Sequence, residues 1–131
     1  MSEQLTHDFE SALRVLEESR DAGPLAALYS GGAKSGNVIA PDQFEGPDGA
    51  NQFWTEYRGA FEETRSEFRN IIIGEHRAAL EWTTTGVSST GKPVQYSGVT
   101  LLEMDDQKIT RSCAYFDPGG LGRQMTKDVS E

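Results

Sequence analysis

Four segments rich in β-branched and aromatic residues follow one another in the second half of the chain, and the stretches between them are very short. They cover roughly residues 67–73, 77–87, 94–104 and 108–116. Their separators are Gly74-Glu75-His76, the six residues 88–93, and Asp105-Asp106-Gln107. A parallel neighbour needs a crossover of about a dozen residues or more, so these connections predict antiparallel hairpins and hence a β-meander.

The first half has a different period. Over residues 6–20, Phe9, Ala12, Leu13 and Leu16 recur at helical spacing while Glu10, Arg14, Glu17 and Glu18 occupy other faces, which predicts an amphipathic helix. Gly23-Pro24 breaks and restarts the chain, Leu25, Leu28 and Tyr29 mark one or two more helical turns, and Gly31-Gly32 ends that piece. Residues 33–44, with Val38 and Ile39, predict a brief strand and a loop at Pro41. Gly46-Pro47-Asp48 opens a second long helix carrying the aromatic stripe Phe53, Trp54, Tyr57, Ala60 and Phe61. A last helical turn is expected over 121–125 and a frayed end over 126–131. Helices followed by a meander make an α+β architecture: a strongly bent, cone-shaped, mainly antiparallel sheet with about three helices covering one face. That covered face is where a pocket can form.

At 131 residues the chain holds one core, so residues 1–131 read as a single domain. Its net charge of −9 and lack of a lysine or arginine cluster argue against a nucleic-acid partner, because such affinity comes from basic groups that release counterions. No run approaches the roughly 18 apolar residues of a membrane span, and the first residues lack a secretory pattern, so a cytoplasmic protein with no membrane partner is expected. One cysteine, Cys113, excludes an intrachain disulfide, and His7 and His76 have no metal-ligand spacing. Neither a metal nor a cofactor is expected.

This order of elements resembles the nuclear transport factor 2-like superfamily, whose members form a cone around a deep pocket. The resemblance rests on Gly46-Pro47-Asp48-Gly49-Ala50 before the third helix, Ala79-Leu80-Glu81-Trp82-Thr83 on the central strand, and Lys108-Ile109-Thr110 with Tyr115-Phe116-Asp117 on the last one. Within it the chain is most similar to SnoaL-like proteins, which include polyketide cyclases, and in part to limonene-epoxide hydrolases, whose last strand ends in a similar Tyr-Phe-Asp. The resemblance implies a small-molecule site. It also implies that Trp82 and Thr84 face the pocket, at positions where the hydrolase pattern has an arginine and an aspartate; hydrolysis by that mechanism is therefore not expected. The oxyanion hole of a ketosteroid isomerase is not evident either, since residues 96–102 carry no carboxylate. The histidine of a polyketide cyclase site has no equivalent, His76 falling in a predicted turn.

Strand alternation puts Asp117 on one face with Ile109, Arg111, Cys113 and Tyr115, with Ser112, Ala114 and Phe116 on the other. Were the first face concave, Asp117 would be a carboxylate against apolar walls, fit to carry protons, and the resemblance gives the corresponding aspartate that role. The same group could instead cap the Pro118-Gly119-Gly120 turn or pair with Arg111 or Arg123. Tyr115 would supply a phenol to a carbonyl or ether oxygen. Trp82, Thr84, Asn37, Arg111 and Trp54 complete the expected ligand contacts. The expected activity is acid–base catalysis of isomerase, cyclase or lyase type on a small apolar carbonyl compound; the alternative is a noncatalytic ligand-binding or dimerisation module. A homodimer fits both, formed on an outer sheet face carrying Thr83, Thr85 and Tyr96.

Overall fold

A computed structural model describes residues 2–125. Helix α1 (Ser2–Ser19) buries Leu5, Phe9, Ala12, Leu13 and Leu16, the stripe that its 3–4 spacing sets on one side. Arg20, with φ of 63°, turns the chain out of it. The single turn α2 (Gly23–Ala26) carries Pro24 as its second residue, where a missing N–H leaves no bond unmade. Then follow β1 (Tyr29–Asn37), β2 (Phe44–Glu45), α3 (Gly46–Gly59), β3 (Phe61–Ile73), β4 (Arg77–Ser88), β5 (Pro93–Met104), β6 (Ile109–Phe116) and α4 (Pro118–Met125). The expected frayed end, 126–131, lies outside the described residues.

The strands form one sheet in the order β2-β1-β6-β5-β4-β3. The meander β3 to β6 is antiparallel throughout, as the short connections require, while β1 runs parallel to β6. Three starts differ from the sequence reading. Tyr29 opens β1 instead of extending a helix, and Gly31-Gly32 lie within that strand, at an irregularity in its pairing with β6. Val38 and Ile39 fall in the loop beyond it. Phe61 belongs to β3, because the helix ends at Gly59 and the chain turns at Ala60. The fourth helix begins at Pro118, earlier than residue 121.

The helices pack on one face of the sheet, and pairing shows which side chains meet them, since directly opposed residues of an antiparallel pair share a face. Met104 opposes Ile109, Leu102 opposes Ser112, Thr100 opposes Ala114 and Gly98 opposes Phe116. Met104, Ile109 and Leu102 are core residues beside Phe9, Leu13, Leu16 and Trp54, so this set is the inner face. Thr110 has no opposite residue, and the bulge reverses the alternation on β6. Ile109 is thereby inside, with Ser112, Ala114 and Phe116, while Arg111 and Tyr115 point outward. The sequence reading had grouped Ile109 with those outward residues.

The open edge of the sheet is β3, and polar side chains from the helices occupy part of it. Glu17 Oε2 accepts from the Ser66 N–H at 2.8 Å, and Arg14 donates to the Ser66 carbonyl at 3.1 Å. Burial raises the Glu17 pKa, opposed by that N–H and by Arg14. Arg20 and Arg58 both reach the carbonyls of Phe61 and Glu62. Side chains thus complete what a neighbouring strand would otherwise bond.

Candidate functional site

Between the inner face and the helices lies a cavity of about 460 Å³, within the range of small-molecule sites. Two aromatic groups face it. On the helical side, Phe53, Trp54 and Tyr57 of α3 continue into Phe61, the first residue of β3, as an edge-to-face chain with centroid spacings of 5.0, 5.5 and 5.6 Å. On the sheet side Trp82, Tyr96 and Phe116 form a triangle, with 5.2 Å between Trp82 and Tyr96 and 5.5 Å between Tyr96 and Phe116. Such tilted pairs suit the positive edge and negative face of the rings. Gly98 makes the triangle possible: a Cβ there would stand 2.7 Å from the Trp82 ring and 2.4 Å from the Tyr115 carbonyl oxygen.

Most polar groups in the wall are spent on each other. Trp82 Nε1 donates to Thr100 Oγ1 at 2.9 Å, and the hydroxyls of Ser66 and Thr84 bond at 2.6 Å. Trp54 Nε1 donates to the Tyr29 hydroxyl at 3.1 Å, which in turn bonds Ser112 Oγ at 2.8 Å. Burial pushes the Tyr29 pKa up to about 12 against those hydrogen bonds. Both tryptophans therefore offer the cavity only their rings. Asn37 Oδ1 accepts from the Ile39 and Ala40 N–H groups at 3.0 and 3.3 Å, which directs its amide N–H donors elsewhere.

The polar groups left over are Gln43, in the loop before β2, and a pair of phenols. Tyr96, on β5, and Tyr57, on α3, both line the cavity, and their phenols are near enough to act on one another. Burial first, and the neighbouring phenol second, hold the Tyr96 pKa far above that of a free tyrosine. It is a hydrogen-bond donor at every physiological pH. Of the described lining residues, only Glu56 carries a formal charge, and it is exposed, accepting from Gln52 at 3.0 Å.

Four of the seven residues expected from the sequence, Asn37, Trp54, Trp82 and Thr84, line this cavity. The other three do not. Tyr115 is 39% exposed, on the outer face opposite Val99. Arg111 is also outward and holds Asp42 at 2.8 Å and Glu103 at 3.3 Å. Asp117 follows the strand and caps α4, its Oδ1 accepting from the Gly119 N–H at 3.1 Å and its carbonyl from the Leu121 N–H. The bulge at Thr110 explains the displacement, because it breaks the alternation that would have kept Tyr115 and Asp117 on the face of Ile109. Tyr96 is misplaced in the opposite sense: it was expected on the outer face, yet it opposes Thr84 and faces inward.

Tyr57, Glu56, Tyr96 and Phe116 were not anticipated as site residues. The signal for Tyr96 was present. Trp82 opposes Gly98 and Thr84 opposes Tyr96 across the β4–β5 hairpin, so placing the first pair inward obliges the second. Among the described residues no cluster of His, Cys, Asp or Glu could hold a metal ion, and no helix is long and apolar enough to cross a membrane.

Comparison with known proteins agrees with this architecture. No curated protein matches the chain. Among solved structures it is similar to a Catenulispora acidiphila protein with a ketosteroid isomerase-like fold in complex with trimethylamine, at a TM-score of 0.80 and 12% identity, covering 100% of this chain and 98% of that one. An NTF2-like protein from Anabaena variabilis gives 0.80 at 14% identity, over 92% of each chain. A protein named as a polyketide cyclase from Bacillus cereus gives 0.74 at 13% identity, over 93% of this chain and 80% of that one. At these identities the likeness is one of fold. The model of the SnoaL-like domain, however, matches residues 9–112, most of the sequence, and the chain belongs to the SnoaL-like domain family.

Proposed function

We propose that this protein binds a small, neutral, largely apolar carbonyl compound, holding its oxygen on the Tyr57–Tyr96 phenol pair. The carrying observation is that pair, half-buried among rings whose own polar groups are already bonded. If Tyr96 donates to Tyr57, one phenolic proton remains for a ligand oxygen. A carbonyl so held is polarised, which favours enolisation of the kind that isomerases and cyclases perform. The structural neighbours named for ketosteroid isomerase-like and polyketide cyclase proteins support that class. A proton transfer at this site would use Glu56, the carboxylate that lines the cavity. Asp117 is outside the lining, and its capping role accounts for it. Free acids fit poorly, because no lysine, arginine or histidine is among the described lining residues and the net charge is −9.

The test is equilibrium binding of a panel of polycyclic ketones and the matching carboxylic acids. Ketones are expected to bind more tightly than acids. Tyr57→Phe, which removes the phenolic proton left for the ligand, should weaken the best ketone about tenfold, the worth of one hydrogen bond. Asp117→Asn should leave affinity unchanged and lower the melting temperature slightly. If turnover is found, Glu56→Gln should abolish it with binding intact. Equal binding by Tyr57→Phe, or loss of binding in Asp117→Asn, would reject the assignment.

We also propose a homodimer through the outer sheet face. There Thr83 bonds Ser97 at 2.8 Å, and Val99, Leu101 and Tyr115 continue an apolar strip, with Glu81 opposite Val99 and Glu67 opposite Thr83 at its β3–β4 side. Depletion of charge is what marks the centre of an interface. Leu101→Glu should then convert a dimer to a monomer in sedimentation equilibrium; a monomeric wild type would refute the interface.

A further inference from the structure

Helix α4 is held in an unusual way. It contributes Pro118, Leu121, Gly122 and Met125 to the cavity wall, yet none of its residues is buried. Its sequence, Pro-Gly-Gly-Leu-Gly-Arg-Gln-Met, has three glycines in eight residues, among the poorest helix formers. Such a segment stays helical only while something holds it. The Asp117 cap secures its start. Its far end is secured by Gln124, whose Oε1 accepts from the Gln95 N–H at 2.7 Å and whose Nε2 donates to the Gln95 carbonyl at 2.8 Å.

That clasp has a specific place in the sheet. The last pair between β5 and β6 is Gly98 with Phe116, so β5 runs on to Gln95 with no strand on that side. The side-chain amide of Gln124 supplies there the one acceptor and one donor that a strand would have supplied. Unlike a strand, it can let go without disturbing any other pair.

We propose that α4 is the lid of the cavity, hinged at Asp117-Pro118 and latched by Gln124 on the free edge of β5, and that its opening admits the ligand. The ligand part rests on the reading of the cavity given above; the motion of the helix does not. Because Gln124 holds the β5 edge and is not itself among the lining residues of the cavity, loosening it should speed entry and exit together.

Hydrogen exchange of the ligand-free protein tests the motion. In Gln124→Ala, the amides of Gln95 and of α4 should exchange about tenfold faster, roughly the loss of two solvent-exposed hydrogen bonds, with the amides of β4 unchanged. Stopped-flow binding of the neutral dye Nile red tests the gate: association and dissociation rates should both rise about tenfold, with Kd changing less than threefold. Gln124→Glu, which keeps an acceptor but loses the donor, should fall between. The proposal is overturned if α4 exchanges only with the sheet core, if Gln124→Ala exchanges like wild type, or if only the dissociation rate changes. Faster exchange with no dye binding in either protein would support the moving helix and count against the ligand reading.

Discussion

Arg58→Ala is expected to lower the stability of the domain by about 3 kcal/mol, a large share of the roughly 5–15 kcal/mol typical of a domain. The side chain is only 5% exposed and bonds backbone carbonyls alone. Its Nε donates to the Glu17 carbonyl at 3.2 Å, at the end of α1, while Nη1 and Nη2 reach Phe61 and Glu62 at 2.9 and 3.4 Å, at the start of β3. One cation therefore ties α3 to both neighbours. Burial, with Arg20 beside it, presses its pKa below the ordinary arginine value, though the group stays charged. Truncation leaves the Glu17 carbonyl without this donor and opens a void in a polar seam. Arg20 still covers the other two carbonyls, which keeps the loss near 3 kcal/mol. Arg58→Lys should recover only part, because an ammonium cannot fork across three carbonyls. Chemical denaturation of the three proteins decides it: a loss under about 1 kcal/mol for Arg58→Ala would mean that the seam contributes little.

Ala114→Trp is expected to abolish ligand binding, by at least about a hundredfold, while leaving the protein folded. Ala114 sits on β6 between Thr100 and Asn37, and its methyl faces the cavity. An indole there would fill space that a ligand must use. Overpacking a closed core costs typically about 1–3 kcal/mol, but here the added ring enters an existing space and the cost should fall at the low end. Titration with Nile red and a thermal melt on the same sample separate the two effects. Unchanged affinity with a normal melt would place the ligand elsewhere on the molecule.

Hairpin arithmetic made the meander legible apart from the start of β3, which lies at Phe61 and not near residue 67, because three short loops leave one way to fold. The amphipathic stripe of α1 and the Gly46-Pro47 start of α3 were equally plain, since period and turn chemistry agree there. What local pattern could not show was set by distant parts of the chain. β1 is a strand because β6 lies beside it, although Gly31-Gly32 reads as a break. The bulge at Thr110 has no signature in Lys108-Ile109-Thr110-Arg111, yet it decides which face of β6 is inner and so removes Tyr115 and Asp117 from the cavity. Trp82 and Thr84 were placed by family resemblance; Tyr96 followed from them through pairing but was assigned outward. Tyr57 was visible on the aromatic stripe of α3, where a core residue and a site residue look alike.

The parallel pairing of β1 with β6 also governs how the chain can be made. Tyr29 lies beside Ile109 and Asn37 beside Ala114, so roughly 80 residues separate the partners. At about 5–20 residues per second, a ribosome takes roughly 4–16 s to deliver β6 after β1 has emerged. Through that interval β1 has no β6 to pair with, and the apolar stripe of α1 lacks the Ile109 part of its core. The meander can assemble from local hairpins, but the N-terminal third completes the domain only when the last strand leaves the exit tunnel. The nascent chain is therefore most exposed to chaperones, and to aggregation, through its N-terminal helices.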